Sequence, residues 1–188
     1  MLNLLEEPNI QKKFNIFELD NEFDNTEFSR AGDKTLVRVD LAGAGKTTNI
    51  IMYYQSIDKK ILVVCPTNAL ALDIQTKFKN VVAITFCRFV GIIVGVEKKE
   101  DKKTRTYDLE EFDVVLIDEI YNLTTSNLWD LNNIMKDNKD KIFIAAGGNL
   151  QNPPIENFIN DDTIYNKIIE RLFPNHFQLH RSRRIKDE

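Results

Sequence analysis

The chain is short of most residues that would mark a specialised scaffold. It has two cysteines in 188 residues, Cys65 and Cys87, set 22 apart with no C-x-x-C pattern. That argues against a disulfide framework or a cysteine-built metal site and points to reduced core thiols. The only histidines are His176 and His180. Their i, i+4 spacing could serve a metal on a helix, but no H-E-x-x-H pattern accompanies it, and strand or loop positions are the simpler reading. No apolar run approaches the roughly 20 residues that a membrane-spanning helix needs. The start, MLNLLEEPNI, has no basic segment and no long apolar stretch, so no secretory signal is visible and an intracellular, membrane-free protein is expected. An excess of positive charge is missing too: 25 Lys+Arg stand against 29 Asp+Glu, a net charge of -4. Coating nucleic acid by charge alone is therefore disfavoured, while a local basic path is not.

What is present is an ordinary globular balance, 43% hydrophobic and 29% charged, with material for one large domain or two very small ones. The first 34 residues are polar and weakly patterned, with Phe14, Phe17, Phe23 and Phe28 irregularly spaced. They read as a partly helical lead-in packing on a main domain over 35–188. From Thr35 the texture changes to apolar strands alternating with helical stretches. Strands are predicted at Leu36–Val39, Lys60–Cys65, Val81–Ile84, Val114–Ile117, Ile142–Ala146 and Phe177–Leu179. Helices are predicted at Lys46–Ile57, Asn68–Lys79, Ser126–Asp137 and Asp161–Phe173, the third with Leu128, Leu131, Ile134 and Met135 on one face. Phe86–Val94 is a short helix or a strand, and the charged run from Glu97 to Arg105 is a solvated loop or hairpin tip. Wholly apolar strands in this alternation indicate an α/β fold: a parallel sheet with helices on both faces.

The strongest local signal is the run from Asp40 to Thr48, DLAGAGKTT, between an apolar strand and a helix. Gly43 and Gly45 let the backbone turn its N–H groups toward phosphate oxygens, with Ala44 between them. The helix start adds its positive dipole end, Lys46 can reach β- and γ-phosphates, and the hydroxyl of Thr47, with Thr48 beside it, can meet Mg²⁺. The pattern G-x-x-x-x-G-K-[ST] asks for glycine where this chain has Asp40. A carboxylate there repels a triphosphate unless it points away or meets a cation.

The second signal is Asp118-Glu119 at the end of the apolar run that starts at Asp113, 72 residues after Lys46. At the carboxyl edge of a parallel sheet these acids point into the same crevice as the phosphate loop. Asp118 would hold Mg²⁺ and Glu119 would take a proton from the attacking water. Together the two signals specify a P-loop nucleoside-triphosphate hydrolase or kinase.

Six segments in order, from Asp40 to Asp187, resemble the first RecA-like domain, domain 1A, of a superfamily 1 DNA helicase, most similar to the RecD-like 5′-to-3′ branch and its viral relatives. The phosphate loop resembles motif I, and the Pro-Thr-Asn-Ala run from Pro66 resembles motif Ia. The segment from Ala83 to Gly91 resembles the next motif, with Cys87 where histidine is usual, and Ile117–Leu123 resembles motif II. The run from Ala146 to Ile155 resembles motif III, with Gly148 where aspartate is usual and Gln151 on the phosphate-sensing glutamine. Leu179–Asp187 resembles motif IV, whose arginine falls by spacing on Arg184, with Arg183 and Arg181 as alternatives.

The resemblance implies ATP and Mg²⁺ as ligands, Lys46, Glu119, Gln151 and Arg184 as catalytic groups, and single-stranded DNA, or RNA, as partner. Thr67, Asn68 and Thr85 would line the strand's path, binding phosphates through hydroxyl, amide and backbone N–H donors. Thr67 and Asn68 also suit a helix cap, and the two roles are compatible. Trp129 and Tyr121 read as packing residues before base-stacking ones. Helicase action in this family needs a second RecA-like domain, and nothing after Asp187 remains to build one. The resemblance thus implies a fragment or a truncated viral-type protein, completed in cis or by a partner chain. Its own ATPase is expected to be weak, because an arginine finger supplied from outside is worth about 10³–10⁵ in rate. A short Asn-, Lys- and Ile-rich chain of this type would suit a large DNA virus. Two other readings are a thymidine-kinase-type nucleoside kinase, whose usual late cysteine-rich zinc segment is missing, and a degenerate, non-catalytic P-loop module, favoured by Asp40.

Overall fold

The computed structural model describes residues 23–39, 45–91, 107–148 and 162–179. Six strands form one sheet: β1 Thr35–Val39, β2 Ile61–Cys65, β3 Val82–Thr85, β4 Val114–Asp118, β5 Ile142–Gly147 and β6 Asn175–Leu179. Their spatial order is β3-β2-β4-β5-β1-β6, and every pairing is parallel. Strands β2 and β4 are buried at all five positions, because both faces of the sheet are covered. β6, at the sheet edge, buries only Phe177 and Leu179. No helix of the described residues is long and apolar enough to cross a membrane.

Among the described residues the helices are α1 Asn25–Ala31, α2 Lys46–Ser56, α3 Asn68–Lys77, α4 Phe86–Phe89, α5 Thr125–Asp137 and α6 Asp162–Leu172. The first three cover one face. Ile50, Ile51 and Tyr54 from α2 and Ala71 and Ile74 from α3 pack there against Val37, Val63, Leu116 and Ile144. Phe28 of α1 joins them, its ring 4.8–5.9 Å from those of Phe23, Tyr53, Tyr54 and Phe177. The other face is covered by Phe86 and Phe89 of α4, Leu128, Leu131, Ile134 and Met135 of α5, and Tyr165 and Ile169 of α6. The fold is thus α/β, a RecA-like parallel sheet with helices on both faces, as the alternating texture predicts.

Threonine side chains start three of the helices. Thr67 accepts from the Leu70 amide and Thr85 from the Arg88 amide. Thr124 forms a reciprocal capping box with Asn127. The opposite edge of the sheet is pinned by aspartates. Asp33 accepts from the amide of Phe143, its backbone carbonyl accepts from Asn175 Nδ2, and Asp113 accepts from the amide of Lys60. These contacts hold β1, β5 and β6, and then β2 and β4, at one height, which fixes where their carboxyl ends lie.

The sequence-derived boundaries shift by one or two residues, and Phe86–Phe89 resolves as the short helix. Cys65 is a buried free thiol, but Cys87 is exposed, which corrects its reading as a core thiol. It sits on the outer side of α4, whose inward positions are taken by Phe86 and Phe89. His176 is an exposed residue of β6, so the helical i, i+4 metal reading does not hold at this residue. His180 and the run 97–105 lie outside the described residues.

Candidate active site

Strand β1 ends just before the phosphate loop, and α2 begins just after it. Gly45, the residue before α2, has φ 73°, a left-handed conformation in which a side chain would be strained. Lys46 and Thr47 therefore open α2 at the carboxyl edge of the sheet. Asp118 is the last residue of β4, with only β5 between β4 and β1. In register, Val37 of β1 lies beside Ala146 of β5, and Ala146 lies beside Asp118. The intervening strand ends in Ala145-Ala146-Gly147, so little side-chain bulk separates the start of α2 from the acids.

Two contacts close this gap. Lys46 Nζ lies 2.5 Å from Glu119 Oε1, and the Thr47 hydroxyl donates to Asp118 Oδ1 at 2.8 Å. Asp118 is 4% exposed and also accepts from the Glu119 amide at 3.0 Å. Burial, with the neighbouring Glu119 charge, pushes its carboxyl up to about 6 against the opposing pull of Lys46. The second Glu119 oxygen, Oε2, is buried without a hydrogen-bond partner among the described residues. Its backbone is left-handed, at φ 53° and ψ 50°, a conformation costing a non-glycine residue about 1–2 kcal/mol.

Beside the orphaned Glu119 oxygen, which suits a water, the buried Asp118 carboxylate and the Thr47 hydroxyl touching it make a hard-oxygen donor set. It fits Mg²⁺, which takes one or two carboxylates and completes its shell with water and phosphate oxygens. No group of three or more His, Cys, Asp or Glu side chains that could hold an ion on their own occurs among the described residues.

A 3₁₀ turn, Ile120–Asn122, follows Glu119 and packs over the end of β5. A Cβ added at Gly147 would lie 2.7 Å from Tyr121 Cδ2 and 3.1 Å from Ile120 Cγ2. Tyr121 is 3% exposed and has nowhere to retreat. Gly147→Ala is therefore expected to destabilise the fold by about 1–3 kcal/mol, read as a lower urea midpoint.

Of the residues named from sequence, Lys46, Thr47, Asp118 and Glu119 form this one cluster, and Gly45 and Thr48 flank it on the loop and helix. Thr67 and Asn68 are exposed after β2, and Thr85 ends β3, where Cys65 pairs with it in register. They occupy strand ends one and two places from β4. Thr67 is the helix cap, as its cap reading requires, while Asn68 is the first residue of the helix; Thr85, not read as a cap from sequence, caps the next helix. Tyr121 is buried, whereas Trp129 is 65% exposed on α5. Asp40, Gly43, Ala44, Gln151, Arg181, Arg183 and Arg184 lie outside the described residues.

Sequence reasoning missed Arg38, Tyr165 and Glu170, which surround the 3₁₀ turn. Arg38 pairs with Glu170 at 2.6 Å, and the Tyr165 hydroxyl reaches the carbonyls of the turn. An apolar stripe containing a tyrosine reads as core, so only the burial of its hydroxyl could have singled out Tyr165.

The family model described as "AAA domain" matches residues 29–157, which contain the loop, α2 and the acidic end of β4. This chain belongs to the AAA domain family. No curated protein sequence matches it. Among solved structures, this AAA domain is similar to Pif1 helicases. To Pif1 from Candida albicans it is 21% identical, with a TM-score of 0.57, covering 96% of this chain and 41% of that one. A Bacteroides Pif1 in complex with ADP-AlF4 gives 18% identity, a TM-score of 0.53 and coverage of 98% and 44%. A Bacteroides Pif1 bound to single-stranded DNA gives 16%, 0.54, 98% and 44%. At these identities the likeness is one of fold, the RecA-like P-loop fold. The AAA domain chain spans less than half the length of each of these proteins.

Proposed function

We propose that this chain is the ATP-binding and ATP-hydrolysing module of a superfamily 1 DNA helicase, coupling hydrolysis to movement on single-stranded DNA. The observation that carries the reading is the meeting of Lys46 and Thr47, from the start of α2, with Asp118 and Glu119, from the end of β4, at 2.5 and 2.8 Å. Lys46 would exchange its bond to Glu119 for β- and γ-phosphate oxygens. Thr47 and Asp118 would hold Mg²⁺, which supplies charge neutralisation on those oxygens when bound. Glu119, released from Lys46, would hold the attacking water and accept its proton. Gln151 would sense the γ-phosphate and Arg184 would balance its charge.

Nucleic acid would cross the ends of β2 and β3. Thr67, Asn68 and Thr85 would present hydroxyl, amide and helix-start N–H groups to phosphates there. The Pif1 structures lend support, one holding ADP-AlF4 and another single-stranded DNA. A second RecA-like domain, in cis or from a partner chain, would complete the nucleotide sandwich and the grip on the strand.

The test is Mg·ATP binding and phosphate release by the chain and its Lys46→Ala variant, with and without single-stranded DNA. Binding weakened at least about a hundredfold by the substitution, and hydrolysis stimulated by DNA, are the expected results. Absent binding at millimolar ATP would defeat the reading. Phosphate transfer to a nucleoside would replace it with a kinase.

A further inference from the structure

We propose that Tyr165, on α6, is a positioning residue for Glu119, acting through the 3₁₀ turn that follows it; this rests on the hydrolase reading above. Glu119 is held in a left-handed conformation, and such strain persists only where the surroundings over-determine it. Within the turn, Asn122 N bonds to Glu119 O at 2.9 Å and Leu123 N to Ile120 O at 3.1 Å. The carbonyls of Tyr121 and Leu123 point instead at the Tyr165 hydroxyl, at 3.2 and 2.5 Å, with that of Ile120 at 3.5 Å. A hydroxyl has one proton and gives it to one acceptor at a time, so the nearest, Leu123 O, is the bonded one. Tyr165 is 3% exposed, so no water replaces this donor if it is lost.

The same helix is anchored to the other half of the site. Glu170 accepts from Arg38 Nη2 at 2.6 Å, and Arg38 sits on β1 opposite Gly147, one residue before the strand's end. Burial alone would lower the Arg38 guanidinium, but Glu170 and the nearby Tyr121 hold it above its ordinary value, so the anchor stays charged. Thus α6 grips the Glu119 turn with Tyr165 and the strand leading to the phosphate loop with Glu170. It does so from beyond the residues that the family model matches, 29–157. Core packing alone needs the ring of Tyr165; only the positioning role needs its hydroxyl.

Tyr165→Phe keeps the ring and removes the donor. Single-turnover hydrolysis is expected to fall about 10- to 100-fold, the effect of a small misplacement of a reacting group. The dissociation constant for Mg·ATP should stay within about twofold, because the binding groups are untouched. Hydrogen exchange at the Asn122 and Leu123 amides should quicken about tenfold, equivalent to one lost hydrogen bond. Tyr54→Phe, on the opposite face of the sheet, removes the hydroxyl of another buried tyrosine and should change neither readout. Unchanged exchange in Tyr165→Phe overturns the proposal, and so does faster exchange with an unchanged hydrolysis rate. If the wild-type chain does not bind or turn over Mg·ATP, the hydrolase reading fails separately, and the exchange result alone decides whether the clasp exists.

Discussion

Replacing Glu119 with glutamine is expected to slow ATP hydrolysis by about 10²–10⁴ while leaving Mg·ATP binding intact or tighter. The loss follows from the chemistry of the group. A carboxylate can accept a proton from water and a carboxamide cannot, although the two fill nearly the same space. The gain in binding follows from the geometry without ligand. Lys46 is committed to Glu119 at 2.5 Å, so a triphosphate must first break that ion pair. A neutral partner competes less well for the ammonium, leaving Lys46 more available to phosphate.

The same substitution should destabilise the empty protein. Lys46 is 9% exposed, and taking away its anion strands a partly buried positive charge. Thermal melts should therefore show a lower midpoint for Glu119→Gln without ligand and a larger upward shift on adding Mg·ATP than the wild type shows. Phosphate release and equilibrium titration of the nucleotide check the two main claims. Weaker binding with unchanged turnover would make Glu119 only a structural partner of Lys46 and would move the general base elsewhere.

The parts of this site differ in how well the sequence announces them, and the difference has physical causes. β2 and the first four positions of β4 stand out because a strand covered on both faces packs apolar side chains on both, Asp118 at the end of β4 being the exception. β6 is an edge strand and shows only Phe177 and Leu179, so its first two residues were missed. They are held instead by the Asn175 amide on Lys34 O and by Asn175 Nδ2 on Asp33 O, polar contacts that carry no hydrophobic pattern. Thr35 was missed at the start of β1 for a similar reason. It is fully buried, with its hydroxyl on Gly32 O, and looks like a loop residue in the sequence.

Lys46, Thr47, Asp118 and Glu119 were legible because each sits at the end of a regular element with a residue type that chemistry demands. Their pairing was not. Lys46 meets Glu119 across 73 positions because β5 enters between β4 and β1, and the small residues at its end are what bring the two within reach. Nor could spacing show the left-handed Glu119 or the clasp on the turn behind it. Those depend on how α6 lies against the sheet, and the sequence of α6 records only an amphipathic helix.

Replacing Asp118 with asparagine should stabilise the empty protein and at the same time abolish Mg²⁺-dependent nucleotide binding. Asp118 carries a burial penalty, since its carboxyl is raised from 3.8 to about 6 in the folded state. The folded chain therefore binds a proton more readily than the unfolded one between those values, and stability falls as pH rises through that window. Above about pH 6 the whole penalty is present, on the order of 1–3 kcal/mol for a shift of this size. Asparagine carries no charge to desolvate, and its carbonyl can still accept from the Thr47 hydroxyl and the Glu119 amide. The variant should thus melt several degrees higher than the wild type at pH 7–8, and the gap should close as pH drops toward 4. Mg²⁺ with nucleotide should reverse the order. The wild type gains stability from a cation facing its carboxylate, whereas the variant has no anionic ligand to offer. A variant less stable than wild type at neutral pH would mean that Lys46 already compensates the buried charge. The empty site would then hold no reserve of unfavourable electrostatics, and the gain from metal binding would have to come from the nucleotide alone.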